Sequence, residues 1–187
     1  VDNYVKLASQ DTLLREERFK PLLRRLLMDA LVYYEEFIAE NLDNPNVQKE
    51  LADACYEVAE INNACGTDEE AIRAYRRAIE VSTRLAKMNP MNTEYRRAMA
   101  MGLSNLASLL RRTGNIKEAR ESLGTAKSLL QDILGNNSDN PDVQAGLATV
   151  FNASGSLELE EGDSKTARSD YEKAIAIQEI LARQFPG

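Results

Sequence analysis

The sequence predicts an all-α protein, a solenoid of three long helical hairpins preceded by an orphan helix. A phrase that begins with glycine recurs at Gly66, Gly114 and Gly162, and the interval is 48 residues both times. A fixed period of this size is typical of solenoids. The composition is rich in Ala, Leu, Glu and Arg, which favour helices. Asn-Pro pairs also punctuate each repeat, at residues 44–45, 89–90 and 140–141.

The second helix of each hairpin carries a packing face of small and large residues. Behind each glycine, alanines stand five and twelve residues on, and a large apolar residue stands nine residues on. These offsets differ by four and three, so the positions share one face of a helix. Such a face lets another helix approach closely, so we expect the alanines at the twelfth position to be buried. The positions are Ala71, Tyr75 and Ala78, then Ala119, Leu123 and Ala126, then Ala167, Tyr171 and Ala174.

Prolines and glycines set the expected helix boundaries. A proline near a helix start has no amide hydrogen to lose and a preset φ. Each glycine of the series should end a first helix in a left-handed turn. Residues suited to cap the second helices are Thr67 or Asp68, Asn115 and Asp163. The first helices are expected at about 45–65, 91–113 and 141–161, and the second at about 68–88, 116–134 and 164–184.

Five segments follow from this pattern. Residues 1–20 are expected to form an entry segment that contains the stump of a preceding helix. Residues 21–43 are expected to form the orphan helix, because stepping back 48 residues from Tyr75 and Ala78 reaches Leu27 and Ala30. The hairpins are expected at 44–88, 89–139 and 140–187, which gives seven main helices from residue 21 onward. The first residue is Val, which suggests a fragment cut from a larger protein, although processing could produce the same end.

Charge and hydropathy disfavour nucleic acid and membrane partners. The net charge of −7 repels phosphate backbones, so nucleic acid is not an expected partner. The most apolar stretch, 22–38, is interrupted by charged side chains. It therefore falls short of the roughly 18 uncharged apolar residues that span a bilayer, and we expect no membrane insertion by this fragment. The cellular location is not predicted beyond a soluble domain.

The residues needed for catalysis or metal binding are missing from the sequence. There is no His, and Cys55 and Cys65 fall on one expected helix, about 15 Å apart along its axis. No His/Cys metal site or Cys-His nucleophile can be built from these residues. Carboxylate groups such as 68–70 and 158–161 are interpreted as solvated helix faces or helix starts. We expect no enzyme activity, no metal and no cofactor.

The repeats resemble the tetratricopeptide repeat (TPR) over about residues 21–185. The second helices carry the Ala-x3-large part of that motif, and the first helices can be compared with its W-x2-L-G-x2-Y part. The middle hairpin reads Leu103-x2-Leu106-Ala107-x2-Leu110, and the small residue is Ala59, Ala107 or Gly155 in turn. The Trp is replaced each time, and the period exceeds the family's 34 residues. The resemblance implies a right-handed α-α superhelix that binds proteins or peptides without catalysis.

A narrower resemblance concerns the entry segment. Val1-Asp2-x-Tyr4, Leu13-Leu14 and Pro21-Leu22 precede Ala30-Leu31-x-Tyr33-Tyr34-x2-Phe37. This layout resembles the long-period TPR region beyond the catalytic domain of large bacterial serine/threonine protein kinases. It implies that the chain is the sensory or scaffolding part of a signalling kinase. Such kinases are often anchored in the membrane. The chain itself has no G-x-G-x-x-G-x-V loop, no H-R-D and no D-F-G sequence.

The TPR resemblance also places a candidate binding wall on the first helices, which line the concave side of such solenoids. Asparagine side chains there could donate to and accept from an extended peptide backbone, although simple solvation is an equal alternative. Because Asp53, Glu57 and Glu60 make one end acidic, a basic or neutral peptide is the expected partner. Self-association into a homodimer through the solenoid ends is the alternative function. The wall positions are Tyr56, Glu57 and Glu60, then Met101, Asn105 and Ser108, then Thr149, Asn152 and Ser156.

Overall fold

The computed structural model describes residues 19, 21–22, 25, 45–65, 67–136 and 140–185. Six long helices make up nearly all of the last three ranges, and no β-strand occurs in the residues described. The predicted all-α class and its TPR-like hairpins are thereby confirmed. The helices are α1 (Pro45–Cys65), α2 (Asp68–Met88), α3 (Thr93–Arg112), α4 (Ile116–Asn136), α5 (Pro141–Glu160) and α6 (Ser164–Gln184).

Two predicted segments fall largely outside this description. The entry segment 1–20 is described only at Phe19, and the orphan helix 21–43 only at Pro21, Leu22 and Arg25. The seventh expected helix therefore stays a prediction.

The chain divides into two compact units, with the boundary between Asn89 and Pro90. The first unit contains the hairpin of α1 and α2, which pack against each other. The second contains α3 to α6, where α3 packs on α4 and α5 packs on α6. Helix α5 also contacts both α3 and α4, so two consecutive hairpins stack within this unit.

Side-chain caps begin the helices where the sequence places short polar residues. Of the two candidates before α2, Thr67 is the cap: its hydroxyl accepts from the Glu70 N–H, and the Glu70 carboxylate accepts from the Thr67 N–H at 3.2 Å. Asp163 caps α6 as predicted, by accepting from the Thr166 N–H at 3.1 Å. Asn115 behaves differently, since its carboxamide donates to the Glu118 carboxylate at 2.7 Å.

One helix start differs from the sequence expectation. Helix α3 begins at Thr93 instead of residue 91, because Pro90 and Met91 lie in a turn. The Asn92 side chain then accepts from the Glu94 N–H at 3.0 Å and caps the helix. Pro141, by contrast, occupies the first turn of α5 directly after the Asn140 cap, as the Asn-Pro pattern predicts.

Glycines in the left-handed conformation end α3 and α5. Gly114 has φ +82° and Gly162 has φ +86°. The next residue in each case closes the turn, because the Asn115 N–H donates to the Leu110 carbonyl at 2.7 Å and the Asp163 N–H donates to the Glu158 carbonyl at 2.9 Å. This is the Schellman arrangement. The prediction is confirmed at these two turns, and Gly66 lies outside the described residues.

The predicted packing face of the second helices forms the core of each hairpin. Ala78 is 4% exposed, and Ala126 and Ala174 are fully buried. The large position between the alanines is fully buried at Tyr75 and nearly so at Leu123. In the third hairpin, a Cβ atom added to Gly155 would lie 2.9 Å from Cε1 of Tyr171. The Tyr171 ring of the second helix therefore fits at this contact because the first helix has the small residue Gly155 there.

Candidate peptide-binding wall

In the first unit, the candidate residues on α1 are tied to the packing of α2. The Tyr75 hydroxyl donates a hydrogen bond to the Glu60 carboxylate. The Tyr56 ring meets the Tyr75 ring edge to face, with centroids 5.8 Å apart. Glu57 is half-buried on the same helix. Two of these three candidates thus have an evident structural role in holding the hairpin together.

The same contact recurs in the third hairpin, 96 residues further along the chain. Ser156 Oγ lies 3.1 Å from the Tyr171 hydroxyl. Because Ser156 donates its own hydrogen to the Asn152 carbonyl at 3.0 Å, the tyrosine is the donor of the pair. Sequence reasoning placed Glu60 and Ser156 beside the packed face, but it did not anticipate that a tyrosine of the second helix reaches both.

In the second unit, α3 and α5 contact each other and carry the remaining candidates. Ser108 and Thr149 are exposed, and the other members are half-buried. Met101 bridges the two helices, since its Sδ lies 3.4 Å from the position of a Cβ on Gly146. We call this surface the α3–α5 wall, and its residues are Met101, Asn105, Ser108, Thr149, Asn152 and Ser156.

The hydroxyl groups of the α3–α5 wall are oriented by their own helices. Ser108 donates to the Ser104 carbonyl at 3.3 Å, and Thr149 donates to the Ala145 carbonyl at 3.1 Å. Since Ser156 is bonded in the same way, all three hydroxyl hydrogens are engaged. A hydroxyl has two acceptor lone pairs besides its one hydrogen. The oxygens of Ser108 and Thr149 can therefore accept a further hydrogen bond, whereas that of Ser156 already accepts from the Tyr171 hydroxyl.

Ion pairs across helices fix α5 at the end that carries the Gly162 turn. Arg120 on α4 pairs with both Glu158 and Glu161, and Arg111 on α3 pairs with Glu160. The hydrogen bond that Arg120 donates to Glu158, with the charges of both carboxylates, raises the pKa of Arg120 above its ordinary value. Glu160 and Glu161 are exposed, as the sequence interpretation has them, and Glu158 is half-buried. The ion pairs of these carboxylates, which the sequence did not indicate, also join three helices. No signal in a single sequence relates residues so far apart along the chain.

An aromatic ring anchors the middle of α5. Phe151 is buried, and the ammonium groups of Lys127 on α4 and Lys173 on α6 lie 5.0 Å and 5.3 Å from its ring centroid. Cations at such distances are attracted to the face of an aromatic ring. Together with the ion pairs, these contacts hold α5 in a defined position beside α3.

The described part of the chain has neither a candidate metal cluster nor a candidate membrane span. Among those residues, no group of three or more His, Cys, Asp or Glu side chains could hold a metal ion. Over the same residues, no helix combines the length and the apolar character needed to cross a membrane.

The stacked hairpins of the second unit, with polar residues on their first helices, define a helical-repeat module. Two family models, each described as "Tetratricopeptide repeat", match the chain, one over residues 99–142 and the other over 52–83 and 148–180. These stretches together span more than half of the sequence and include one in each hairpin. The chain therefore belongs to the tetratricopeptide-repeat family, and such repeats are protein-interaction modules.

A solved structure supports the fold independently. The crystal structure of BtubC (BKLC) from P. vanneervenii is similar to this chain, with a TM-score of 0.60 and 18% sequence identity. The similarity covers 94% of this chain and 69% of that chain. At this level of identity the likeness shows the fold alone. No curated protein matches the sequence.

Proposed function

We propose that the chain is a non-catalytic peptide-binding module whose α3–α5 wall receives an extended peptide of basic or neutral character. The observation that carries the proposal is the contact between α3 and α5, which brings Asn105, Ser108, Thr149 and Asn152 onto neighbouring helices of one unit. An extended peptide presents N–H and C=O groups in alternation. Asparagine side chains can pair with both, and the hydroxyl groups of Ser108 and Thr149 can accept from its N–H groups.

Charge supports the basic or neutral character of the ligand. The α3–α5 wall has no charged member, and the chain as a whole carries a net charge of −7. Like-charge juxtaposition disfavours wrong partners and opposite charge speeds encounter. An acidic peptide would meet repulsion from the domain, and the hydroxyl groups, which can only accept, favour a ligand that is rich in donors.

The proposal is tested with peptides selected from a random-sequence display library on the wild-type protein. The affinity of an enriched peptide, measured by fluorescence anisotropy, should fall about tenfold or more when Asn105→Ala and Asn152→Ala are combined. The matched control combines Thr125→Ala and Gln131→Ala, which changes two exposed polar side chains on α4. An affinity that is equal in all three proteins would exclude the α3–α5 wall as the peptide-binding site.

Stability must be checked alongside affinity. Both asparagines are only half-buried, and substitutions away from the core usually change the free energy of unfolding by under about 0.5 kcal/mol. The double variant should therefore unfold at nearly the same urea concentration as the wild type. Loss of binding with unchanged unfolding supports a direct contact to the peptide.

The parent protein is proposed to be a serine/threonine protein kinase, of which this chain is the sensory or scaffolding region. This part rests on the resemblance of residues 1–37 alone, and neither the family matches nor the BtubC likeness bears on it. The coding sequence upstream of Val1 tests it, since a kinase parent requires a catalytic domain there. The chain alone should transfer no labelled phosphate from ATP to a protein substrate.

Self-association is the second candidate function. Ile180 and Phe185 are 47% and 59% exposed on and just after α6, and exposed apolar residues of this size can join two copies. Light scattering over a range of concentrations distinguishes the candidates. A mass that doubles with concentration and returns to the monomer value with Ile180→Lys would support a homodimer, and a constant monomer mass would exclude it.

A further inference from the structure

Helix α2 carries a basic face, although the chain as a whole is acidic. Residues 71–88 contain five cationic side chains and one anionic side chain, whereas the whole chain has a net charge of −7. Four of the cations are exposed and lie at spacings of three, eight and three residues, which places them along one side of the helix over about 21 Å. We call Arg73, Arg76, Arg84 and Lys87 the α2 basic face.

The α2 basic face is separate from the residues that pack. The buried packing face of α2, which contains Ala78, lies on the opposite side of the helix. In the second unit, Arg120 and Lys127 of α4 contact α5, and α2 has Ile72 and Ile79 at the positions 48 residues earlier. No member of the α2 basic face stands at either of these positions. Its side chains therefore serve neither the packing of the hairpin nor a contact of the kind that α4 makes with the next hairpin.

The charge of this face is not set by the repeat. The equivalent residues of α4, 48 positions later, are also exposed, but two are acidic and two are glycine. A helix dipole favours cations in the last turn, which accounts for Lys87 but not for Arg73 and Arg76 in the first half of α2. The same fold thus accepts the opposite charge at these positions, so packing does not account for the cations of α2. The equivalent α4 residues are Glu121, Gly124, Asp132 and Gly135.

The charges of the α2 basic face are available to a ligand. Glu80 lies at the centre of the face and is paired with Arg77 at 2.7 Å. Among the described residues, the side chains of Arg73, Arg84 and Lys87 have no ion pair or hydrogen bond. Like charges one turn apart repel each other, so the two pairs of neighbouring cations weaken the helix. An anionic ligand would relieve this repulsion.

We propose that the α2 basic face binds an acidic helix of a partner protein, in which two pairs of carboxylates lie opposite the two pairs of cations and the middle is uncharged. The argument is charge complementarity at a defined spacing. Because both helices rise by the same distance per residue, a partner with acidic residues three, eight and three positions apart places one carboxylate opposite each cation. The spacing is symmetric about Glu80, so the partner fits in either direction, and a carboxylate at its middle would lie against Glu80.

An extended segment fits the α2 basic face less well than a helix. The two cations of each pair are about 4.5 Å apart along the axis of α2. Side chains on one side of an extended chain are about 6.5 to 7 Å apart, so they cannot match both cations of a pair. Three of the four cations are arginines, whose planar guanidinium groups bind carboxylates through two parallel hydrogen bonds.

The size of the α2 basic face disfavours a membrane or a nucleic acid as its ligand. Either would extend beyond the roughly 21 Å of the face and meet the excess of carboxylates on the rest of the chain. At physiological ionic strength, charges are largely screened beyond about 8 Å, so a partner helix that contacts α2 alone is little affected by those carboxylates. The face also lies in a different unit from the α3–α5 wall, whose proposed ligand is basic or neutral.

The experiment uses the 187-residue protein and two synthetic peptides of alanine and glutamine with four glutamates each. The matched peptide has its glutamates three, eight and three residues apart, and the control peptide has the same composition with the glutamates grouped at its centre. Circular dichroism checks that both are helical. In fluorescence anisotropy the matched peptide should bind about fivefold or more tightly than the control peptide. Its affinity should fall about tenfold or more between ionic strengths of about 10 mM and about 150 mM, because the Debye length shortens from about 30 Å to about 8 Å.

Substitutions on α2 test whether the face is the site. Arg73→Ala combined with Arg84→Ala removes one cation from each pair and should weaken binding of the matched peptide about tenfold. The matched control combines Lys117→Ala and Lys165→Ala, which removes two exposed cations from α4 and α6 and changes the net charge equally. The control should keep the wild-type affinity within about twofold. Urea unfolding checks that both variants keep the stability of the wild type, since all four residues are exposed.

Three results would overturn the proposal. The first is a matched peptide that does not bind at about 1 mM at the lower ionic strength, or binds no better than the control peptide. The second is an equal loss of affinity in both protein variants, which would indicate attraction to the net charge alone. The third is binding to phosphatidylserine vesicles or duplex DNA that exceeds binding to the matched peptide and is lost with the two arginines, since the ligand would then be a membrane or a nucleic acid. The Asn105 and Asn152 variants change the other unit, so their result does not bear on this proposal.

Discussion

Gly155→Ala should change the free energy of unfolding in two opposite ways, through helix propensity and through contact with the Tyr171 ring. The structure indicates which effect is larger. Gly155 lies inside α5, where replacing glycine by alanine ordinarily stabilises a helix by about 1 kcal/mol. The added Cβ, however, would lie 2.9–3.0 Å from three carbons of the Tyr171 ring. Inserting a carbon into a packed contact of this kind costs about 1–3 kcal/mol. The net change expected is a loss of stability between about 0 and 2 kcal/mol.

Gly124→Ala provides the control. Gly124 lies inside α4, is exposed, and has no atom within 4 Å of the position of its Cβ. Its substitution should give the helix gain alone, about 0.5–1 kcal/mol. Urea unfolding followed by circular dichroism should therefore separate the two variants by about 1–3 kcal/mol, with Gly155→Ala the less stable.

A second substitution identifies the cause. The middle hairpin combines Ala107 with Leu123 at the equivalent positions, and both are buried. In a Tyr171→Leu background, Gly155→Ala should lose most of its cost, because the ring it meets is gone. Stabilisation by Gly155→Ala equal to that of Gly124→Ala in the wild-type background would refute the reasoning. It would mean that the ring moves aside without cost.

Three further changes test the fold and its caps. Ala126→Leu, at a fully buried position, should lower the free energy of unfolding by about 1–3 kcal/mol, and an unchanged thermal midpoint would contradict the assigned face. The hydrogen bond from the Thr166 hydroxyl lowers the pKa of Asp163. The ionised Asp163 side chain therefore stabilises the fold above the ordinary aspartate range near pH 4, and this stabilisation is lost as the pH falls through the folded pKa. Asp163→Asn should keep the cap but flatten the decline of the urea midpoint in acid, and parallel declines would exclude that origin. Ser156→Ala should lower the free energy of unfolding by about 0.5–1.5 kcal/mol, because the Tyr171 hydroxyl loses its acceptor. Ser108→Ala should be neutral or slightly stabilising. Equal effects of the two substitutions in calorimetry would contradict the hydrogen bond assigned between Tyr171 and Ser156.

The helix boundaries were predictable because local chemistry sets them. Gly114 and Gly162 end helices because glycine itself adopts the left-handed conformation readily. The side chain of Asp163 accepts a hydrogen bond from the first turn of the helix that follows it. The start of α3 is the boundary that was predicted wrongly. Pro90 was expected to start a helix, but Asn92 competes for the cap two residues later and takes it.

The contacts of the candidate site were less predictable, because they join residues distant in sequence. The tetratricopeptide-repeat resemblance placed Ser108, Thr149 and Asn152 beside the packed face, and the structure finds the first two exposed. The bonds of Tyr75 to Glu60 and of Tyr171 to Ser156 required knowledge of how far a second helix stands from the first. The pairing of Arg120 with Glu158 and Glu161 depends on how α5 lies against α4.

One repeat position differs between the hairpins in a way that bears on the proposed peptide site. It is occupied by Glu60, Ser108 and Ser156 in turn. A tyrosine hydroxyl of the second helix reaches this position in the first and third hairpins. In the middle hairpin the corresponding residue is Leu123, which has no hydroxyl group to offer. The oxygen of Ser108 therefore keeps its acceptor capacity toward solvent, one turn from Asn105 on the same exposed side of α3. This difference supports a binding site centred on the middle hairpin, with α5 as its second edge and Met101 as the apolar floor between them.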